Sequence, residues 1–294
     1  MYKLFFVIAA AVIAGNEAST LARQGSFNKY FLYTVNNTRS AIELDLSNIT
    51  ASAANLLATR NTTIIVHGHE GSALSSLNPT VKDAFLASED IDVIVVDWSV
   101  YASLSYSNAV NAVPSVGSYV ANLITQLVNE SVVSLDKLHL VGFNLGAHVV
   151  GYAGRSLDGK VARITGLDPS GNQWGSNSLR LRSSDALYVE VIHTNGVDLL
   201  GHGIGDAIGD VDIYVNGGGG QPGCLLNNLC SHNRAWEVFA ASLEYDHLIA
   251  SQCGSWLQVT LNNCRGRTLA IGNNDFVKLG TGMYRINTRR SYPY

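Results

Sequence analysis

A chain of 294 residues that is 47% hydrophobic and 14% charged can bury a sizeable core, which excludes wholesale disorder and favours one large domain over two small ones. The formal net charge of −4 leaves no excess of the basic charge that a nucleic-acid partner demands. The basic residues near the C-terminus, Arg265, Arg267, Lys278, Arg285, Arg289 and Arg290, are dispersed and read as solvated surface.

In chain order, Lys3 precedes an apolar run over residues 4–14, followed by small and polar residues through Ser19. This is the pattern of a cleaved secretory leader, taken as residues 1–18, and the run is too short to span a bilayer. No later segment is long and apolar enough to do so. The expectation is a secreted, extracellular protein whose residues 19–294 form a single domain without internal repeats. Residues 30–35 read as a first strand. Residues 61–66, Asn-Thr-Thr-Ile-Ile-Val, are a buried strand ending at His67-Gly68-His69, and residues 91–96 are another ending at Asp97-Trp98-Ser99. The apolar spacing of residues 110–128 suits a helix. A buried strand at 138–141 and a helix at 147–153 then leave residues 142–146, Gly-Phe-Asn-Leu-Gly, as the sharp turn between them.

Residues 161–167 form a strand that ends on Asp168-Pro169, and residues 186–193 form the next. The glycine-dense stretch 196–223 is read as loops around the functional end, with one strand embedded at 210–215. Residues 234–244 space Trp236, Phe239, Ala240 and Leu243 as a helix does. Strands alternating with helices predict an α/β fold with a mostly parallel sheet covered on both faces.

The turn at 142–146 carries the chemistry. Glycines two before and two after its centre let strand and helix approach closely, while the central residue points its side chain over the sheet edge. Such a nucleophile elbow ordinarily presents Ser, and here it presents Asn144. A carboxamide has no ionisable proton to pass to a histidine, and its nitrogen lone pair is delocalised, so it forms no acyl-enzyme. Asn does tolerate the positive φ that the turn imposes.

A serine-type site also needs an acid and a base. Asp168 stands at the carboxyl end of the strand after the elbow, where ligands of parallel sheets gather. His232, in Cys230-Ser231-His232-Asn233-Arg234, is the candidate base, and the order 144, 168, 232 is that of α/β-hydrolases. His139, His148 and His193 read as packing or structural residues. The run Gly217 to Gly220 lacks the lysine of a phosphate loop.

Four cysteines allow three pairings, and the sequential one, Cys224 with Cys230 and Cys253 with Cys264, closes two short local loops and is favoured. Their spacing is not that of zinc ligands, and neither a metal nor a cofactor is expected. Acceptor motifs for N-glycosylation stand at Asn36, Asn48, Asn61 and Asn129, while Pro79 spoils the one at Asn78.

These words in this order resemble the neutral, pancreatic-type lipase family, most of all its insect branch of phospholipase A1-like and yolk-protein-like members. The resemblance rests on His67-Gly68, Asp97-Trp98-Ser99, the block from Gly142 to Gly154, Gly166-Leu167-Asp168-Pro169, Val191-Ile192-His193-Thr194, Asn216-Gly217-Gly218 with Gln221-Pro222-Gly223-Cys224, and Cys230 to Arg234. It implies an α/β-hydrolase fold with Asn144 at the nucleophile position, Asp168 as acid, His232 as base and the amides of Leu145 and His69 lining the oxyanion hole. It implies the same two disulfides, the first bracketing a lid of only residues 225–229, and no C-terminal β-sandwich. His69 and Asp210 depart from the family pattern. The reading is a secreted lipase-like protein that has lost its nucleophile and binds a lipid, another hydrophobic small molecule or a protein partner, or serves as a storage protein. The alternative is an active lipid esterase without serine, with His232 activating water or Asn144 deamidated. Asn-Leu deamidates slowly, and aspartyl attack on an ester would give a high-energy anhydride.

Overall fold

Short β-branched runs separated by longer amphipathic stretches build the sheet. In this computed structural model, which describes residues 24–294, the strands are β1 (Lys29–Tyr33), β2 (Ile42–Glu43), β3 (Asn61–Val66), β4 (Ile91–Asp97), β5 (Leu138–Phe143), β6 (Arg163–Leu167), β7 (Val189–His193), β8 (Val211–Val215), β9 (Ile249–Cys253), β10 (Thr268–Ala270) and β11 (Gly282–Ile286). The long helices are α1 (Leu77–Ser88), α2 (Tyr106–Asn129), α3 (Leu145–Ser156) and α4 (Asn228–Tyr245). The expected leader at residues 1–18 lies outside the described residues.

The strands form an 11-stranded sheet in the order β10-β9-β11-β8-β7-β6-β5-β3-β4-β1-β2. From β11 to β4 the pairings are parallel. Beyond them β1 lies antiparallel to β4, and β9 antiparallel to β11. The fold is a mostly parallel α/β-hydrolase sheet with helices on both faces.

Two-residue alternation divides the core. Ile64 and Val66 of β3 join α2 and α3 on one face, while Ile65 joins α1 and α4 on the other. Strands β6, β7 and β8 are buried at every residue, because parallel strands covered on both faces have no polar side to keep.

The helix expected at 110–128 begins earlier, at Tyr106, and the one expected at 234–244 begins at Asn228. The earlier start of α4 is local chemistry: the Asn227 side chain accepts the Cys230 amide and caps the first turn. Helix α1 and strands β9 to β11 had no strong periodic signal. Both cysteine pairs close in sequential order, Cys224 with Cys230 and Cys253 with Cys264. Among the described residues no helix is long and apolar enough to cross a membrane.

A buried ionic cluster pins the C-terminal loop to the middle of the sheet. Glu190 of β7 accepts Lys278 Nζ at 2.6 Å and the Gly272 amide at 2.7 Å, and its carboxylate lies 3.3 Å from the Arg163 guanidinium. Arg163 donates from its two terminal nitrogens to the carbonyls of Gly272, Asn273 and Asp275, while its Nε is buried without a partner. Glu190 is fully buried, so removing its charge strands two cations away from water. Glu190→Gln is expected to cost about 3–5 kcal/mol, read as a lower urea midpoint at unchanged slope. A loss near zero would mean that the loop carbonyls alone hold both cations.

Candidate functional site

The site is built on a turn of a single residue. Gly142 and Phe143 still belong to β5 and Leu145 already opens α3, so only Asn144 lies between them. Its φ of 54° and ψ of −119° hold it in the positive-φ region. What enforces that strain is close backbone packing: a Cβ on Gly146 would lie 2.2 Å from the Val66 carbonyl oxygen, and one on Gly142 would lie 2.2 Å from the Gly146 carbonyl oxygen. Gly68 faces the Asn144 Cβ at a similar range, where its own Cβ would come within 2.6 Å. The turn is held further by the Asn144 amide, which donates to Leu167 O at 3.1 Å, and by the Asn144 carbonyl, which accepts the Ser170 amide at 3.2 Å.

The structure joins residues 144, 168 and 232 in one chain of hydrogen bonds. His232 Nδ1–H donates to Asp168 Oδ2 at 2.5 Å, which leaves Nε2 as an acceptor. That acceptor takes Nδ2–H of Asn144 at 2.9 Å. At the other end of the same carboxamide, Oδ1 accepts the backbone amide of His69 at 3.1 Å. Turning the carboxamide over would set its NH2 against the His69 N–H, so the amide donor fixes its orientation.

Asp168 is fully buried and its second oxygen accepts the amides of Thr194 and Asn195 at 2.8 and 3.0 Å. Phe143 packs on the His232 imidazole with ring centroids 4.5 Å apart. Leu145, the other residue expected to line an oxyanion hole, is the first residue of α3, where the amide has no helical partner. The His69 ring itself is directed elsewhere: Nε2–H donates to Leu104 O at 2.9 Å, and the ring meets Tyr106 edge-on.

A cleft of about 800 Å³ opens over this chain at the carboxyl ends of the parallel strands. Its walls include Leu77, Phe143, Leu229 and Trp236, together with Leu199 and Leu200 from the glycine-dense loop. Leu225 and Leu226, between the first pair of cysteines, stand almost wholly exposed. Sequence reading placed that loop at the functional end but did not single out His202, whose ring lies 5.2 Å from that of His232. It also missed Tyr106, whose hydroxyl bonds Ser170 Oγ at 2.6 Å and donates to Asn172 O at 2.8 Å. Neither residue belongs to a motif that spacing could reveal.

The remaining histidines sort by their partners. His148 donates from Nε2 to Ser170 O and accepts the Leu181 amide at Nδ1, and burial pushes its pKa down to about 3. Burial likewise holds His139 well below its ordinary value. His193 differs, since both ring nitrogens face acceptors, Asp212 Oδ1 at 2.9 Å and Ile204 O at 2.8 Å. Burial alone would lower its pKa, but the bond to and charge of Asp212 outweigh it, with further help from the Ile204 carbonyl and Asp168. Tyr214 stacks on the remaining face. The ring, bonded at both nitrogens, holds the Ile204 segment of the cleft loop in place. Among the described residues no cluster is suited to a metal ion.

The folded state therefore binds the His193 proton more tightly than the unfolded chain, where the ordinary value is 6.5. The resulting stability is complete below that value and is lost as pH rises through the raised folded pKa. Denaturation across this window is expected to show the stability of the native chain relative to His193→Gln falling as pH rises. A difference independent of pH would show that the ring is neutral.

With this geometry in place, comparison with known proteins places the chain among relatives. The family model described as Lipase matches residues 12–275. Lipase member H-A of Xenopus laevis is 35% identical over 246 residues, covering 79% of this chain and 52% of that protein. Pancreatic lipase-related protein 2 of Cavia porcellus is 34% identical over 244 residues, covering 80% and 56% respectively. Inactive pancreatic lipase-related protein 1 of Mus musculus is 34% identical over 261 residues, covering 80% and 55%. The chain thus spans about half the length of the curated relatives it matches.

Proposed function

This chain belongs to the lipase family, and from that premise we propose that it is a secreted member that binds a lipid or similar apolar molecule without hydrolysing it. One observation carries the reading. At the position where the resemblance calls for a serine, Asn144 offers its NH2 to the proton acceptor of His232 and its oxygen to the His69 amide. In the proposed arrangement Asp168 orients His232 and the amides of His69 and Leu145 form the oxyanion hole. The base thus has no proton to take, and one of the two donors is already engaged.

Activation of water by His232 is disfavoured for the same reason. Its free nitrogen lies 2.9 Å from the Asn144 Nδ2 and has no lone pair left for a water hydrogen. The leucines, Phe143 and Trp236 on the walls of a cleft otherwise lined by polar side chains support a lipid-like occupant. A relative whose name includes "inactive" agrees with loss of catalysis. The two disulfides suit an oxidising compartment.

Hydrolysis of a short-chain fluorogenic ester by the native chain and by Asn144→Ser tests the reading. The native chain is expected to be silent and the serine variant at least ~10²-fold faster, since a triad nucleophile supplies most of the rate in serine proteases. Turnover by the native chain at the variant's rate would sink the proposal.

The acceptor motifs add a test of secretion. Asn36, Asn48 and Asn129 are exposed, whereas Asn61 is half-buried with Nδ2 3.4 Å from the Glu89 carboxylate. Intact mass before and after glycosidase treatment, with peptide mapping, is expected to find glycan at the three exposed sites and none at Asn61. A secreted chain bare at all four would contradict it.

A further inference from the structure

The carboxamide of Asn144 does more than replace a nucleophile, because its oxygen sits on a donor that an acyl oxygen would otherwise use. Once bonded to His232 Nε2 and the His69 amide, the group retains one N–H and one oxygen lone pair. Those two valences select among lipid head groups. A hydroxyl both donates and accepts, so it can satisfy them together. A carboxylate or an ester carbonyl only accepts, and it would set its oxygen against the Asn144 lone pair.

The charges around the cleft point the same way. Its lining residues include the carboxylate of Glu70 and no lysine or arginine. The fully buried carboxylate of Asp168 lies directly behind His232. His202 supplies no compensating charge, since burial and the neighbouring His232 lower its pKa. An anionic head group entering here would lose its hydration without gaining a cation.

We propose that Asn144 is a built-in occupant of the oxyanion position, and that the cleft consequently prefers an apolar chain ending in a hydroxyl, a long-chain alcohol, over the corresponding carboxylate or ester. This rests on the lipid-binding reading above and names its ligand class. The walls supplied by Leu77, Leu199, Leu200, Leu229 and Trp236 hold the chain, and the carboxamide reads the head.

Equilibrium dialysis of labelled oleyl alcohol and oleate, near neutral pH and below their aggregation limits, tests it on the full chain and on Asn144→Gly. Glycine accepts the positive φ at this position and frees the His69 amide. The native chain is expected to bind the alcohol at least about tenfold more tightly than oleate, the difference expected when a buried polar group is left unpaired. Asn144→Gly is expected to narrow that ratio by a similar factor, because oleate gains the His69 amide and the alcohol loses its two partners on the carboxamide, while measurable binding of either ligand shows that the cleft is intact. Asn144→Ser should move the ratio in the same direction. A native preference for oleate, or a ratio unchanged in both variants, would overturn the selectivity while leaving lipid binding standing. Binding of neither ligand to any of the three proteins would overturn the lipid-binding reading, and the selectivity with it.

Discussion

Backbone crowding between β3, β5 and α3 is the constraint on which the site depends. The Gly146 Cα faces the carbonyls of Val66 and His67, and Gly142 faces Gly146, so the chain reverses from strand to helix through one residue. Two carbonyl-lined contacts of this kind leave no room for a methyl group, and the strain passes to residue 144, which must accept positive φ. The side chain at 144 is thereby aimed at His232 whatever its chemistry.

Hydrogen-bond satisfaction holds Asp168 and His232 in place beside Asn144. Asp168 is fully buried and takes two backbone amides besides the imidazole, and His232 is nearly as deeply buried. Removing His232 would leave Asp168 Oδ2, and removing Asp168 would leave His232 Nδ1, without this partner away from water, at a cost of about 1–3 kcal/mol or more for a charged group. Asparagine suits the third position because it supplies a donor on one side and an acceptor on the other. Serine carries its donor and its acceptor lone pairs on a single oxygen, so it has no second atom with which to span from His232 to the His69 amide.

The surrounding loops are fixed by charge as well as packing. His193 ties the glycine-dense loop to β8 through Asp212, and Gly203 of that loop approaches the Asp168 carboxylate so closely that a Cβ would lie 2.5 Å from it. At the opposite end of the strands, Glu190, Arg163 and Lys278 hold a segment with little apolar content. Acceptor motifs cluster towards that same end, with Asn61 opening β3 and Asn129 closing α2. The cleft mouth with its exposed leucines is left bare of them.

The sequence by itself determined the parallel sheet, the elbow and the inability of residue 144 to act as a serine. Those follow from local facts: runs such as Ile64-Ile65-Val66, glycines two before and two after position 144, and the electronic structure of a carboxamide. It did not reveal α1, β9, β10 and β11, because α1 is weakly amphipathic and the three strands are short runs of mixed polarity with few apolar residues. Nor did it reveal the contacts of Tyr106 and His202 or the pairing of His193 with Asp212, whose partners lie 64, 30 and 19 residues away in sequence. Only the tertiary structure decided which way the Asn144 carboxamide turns. That choice depends on two groups from separate strand–loop and helix elements, an amide donor at His69 and an imidazole acceptor at His232, which meet at one atom pair each only when the chain is folded.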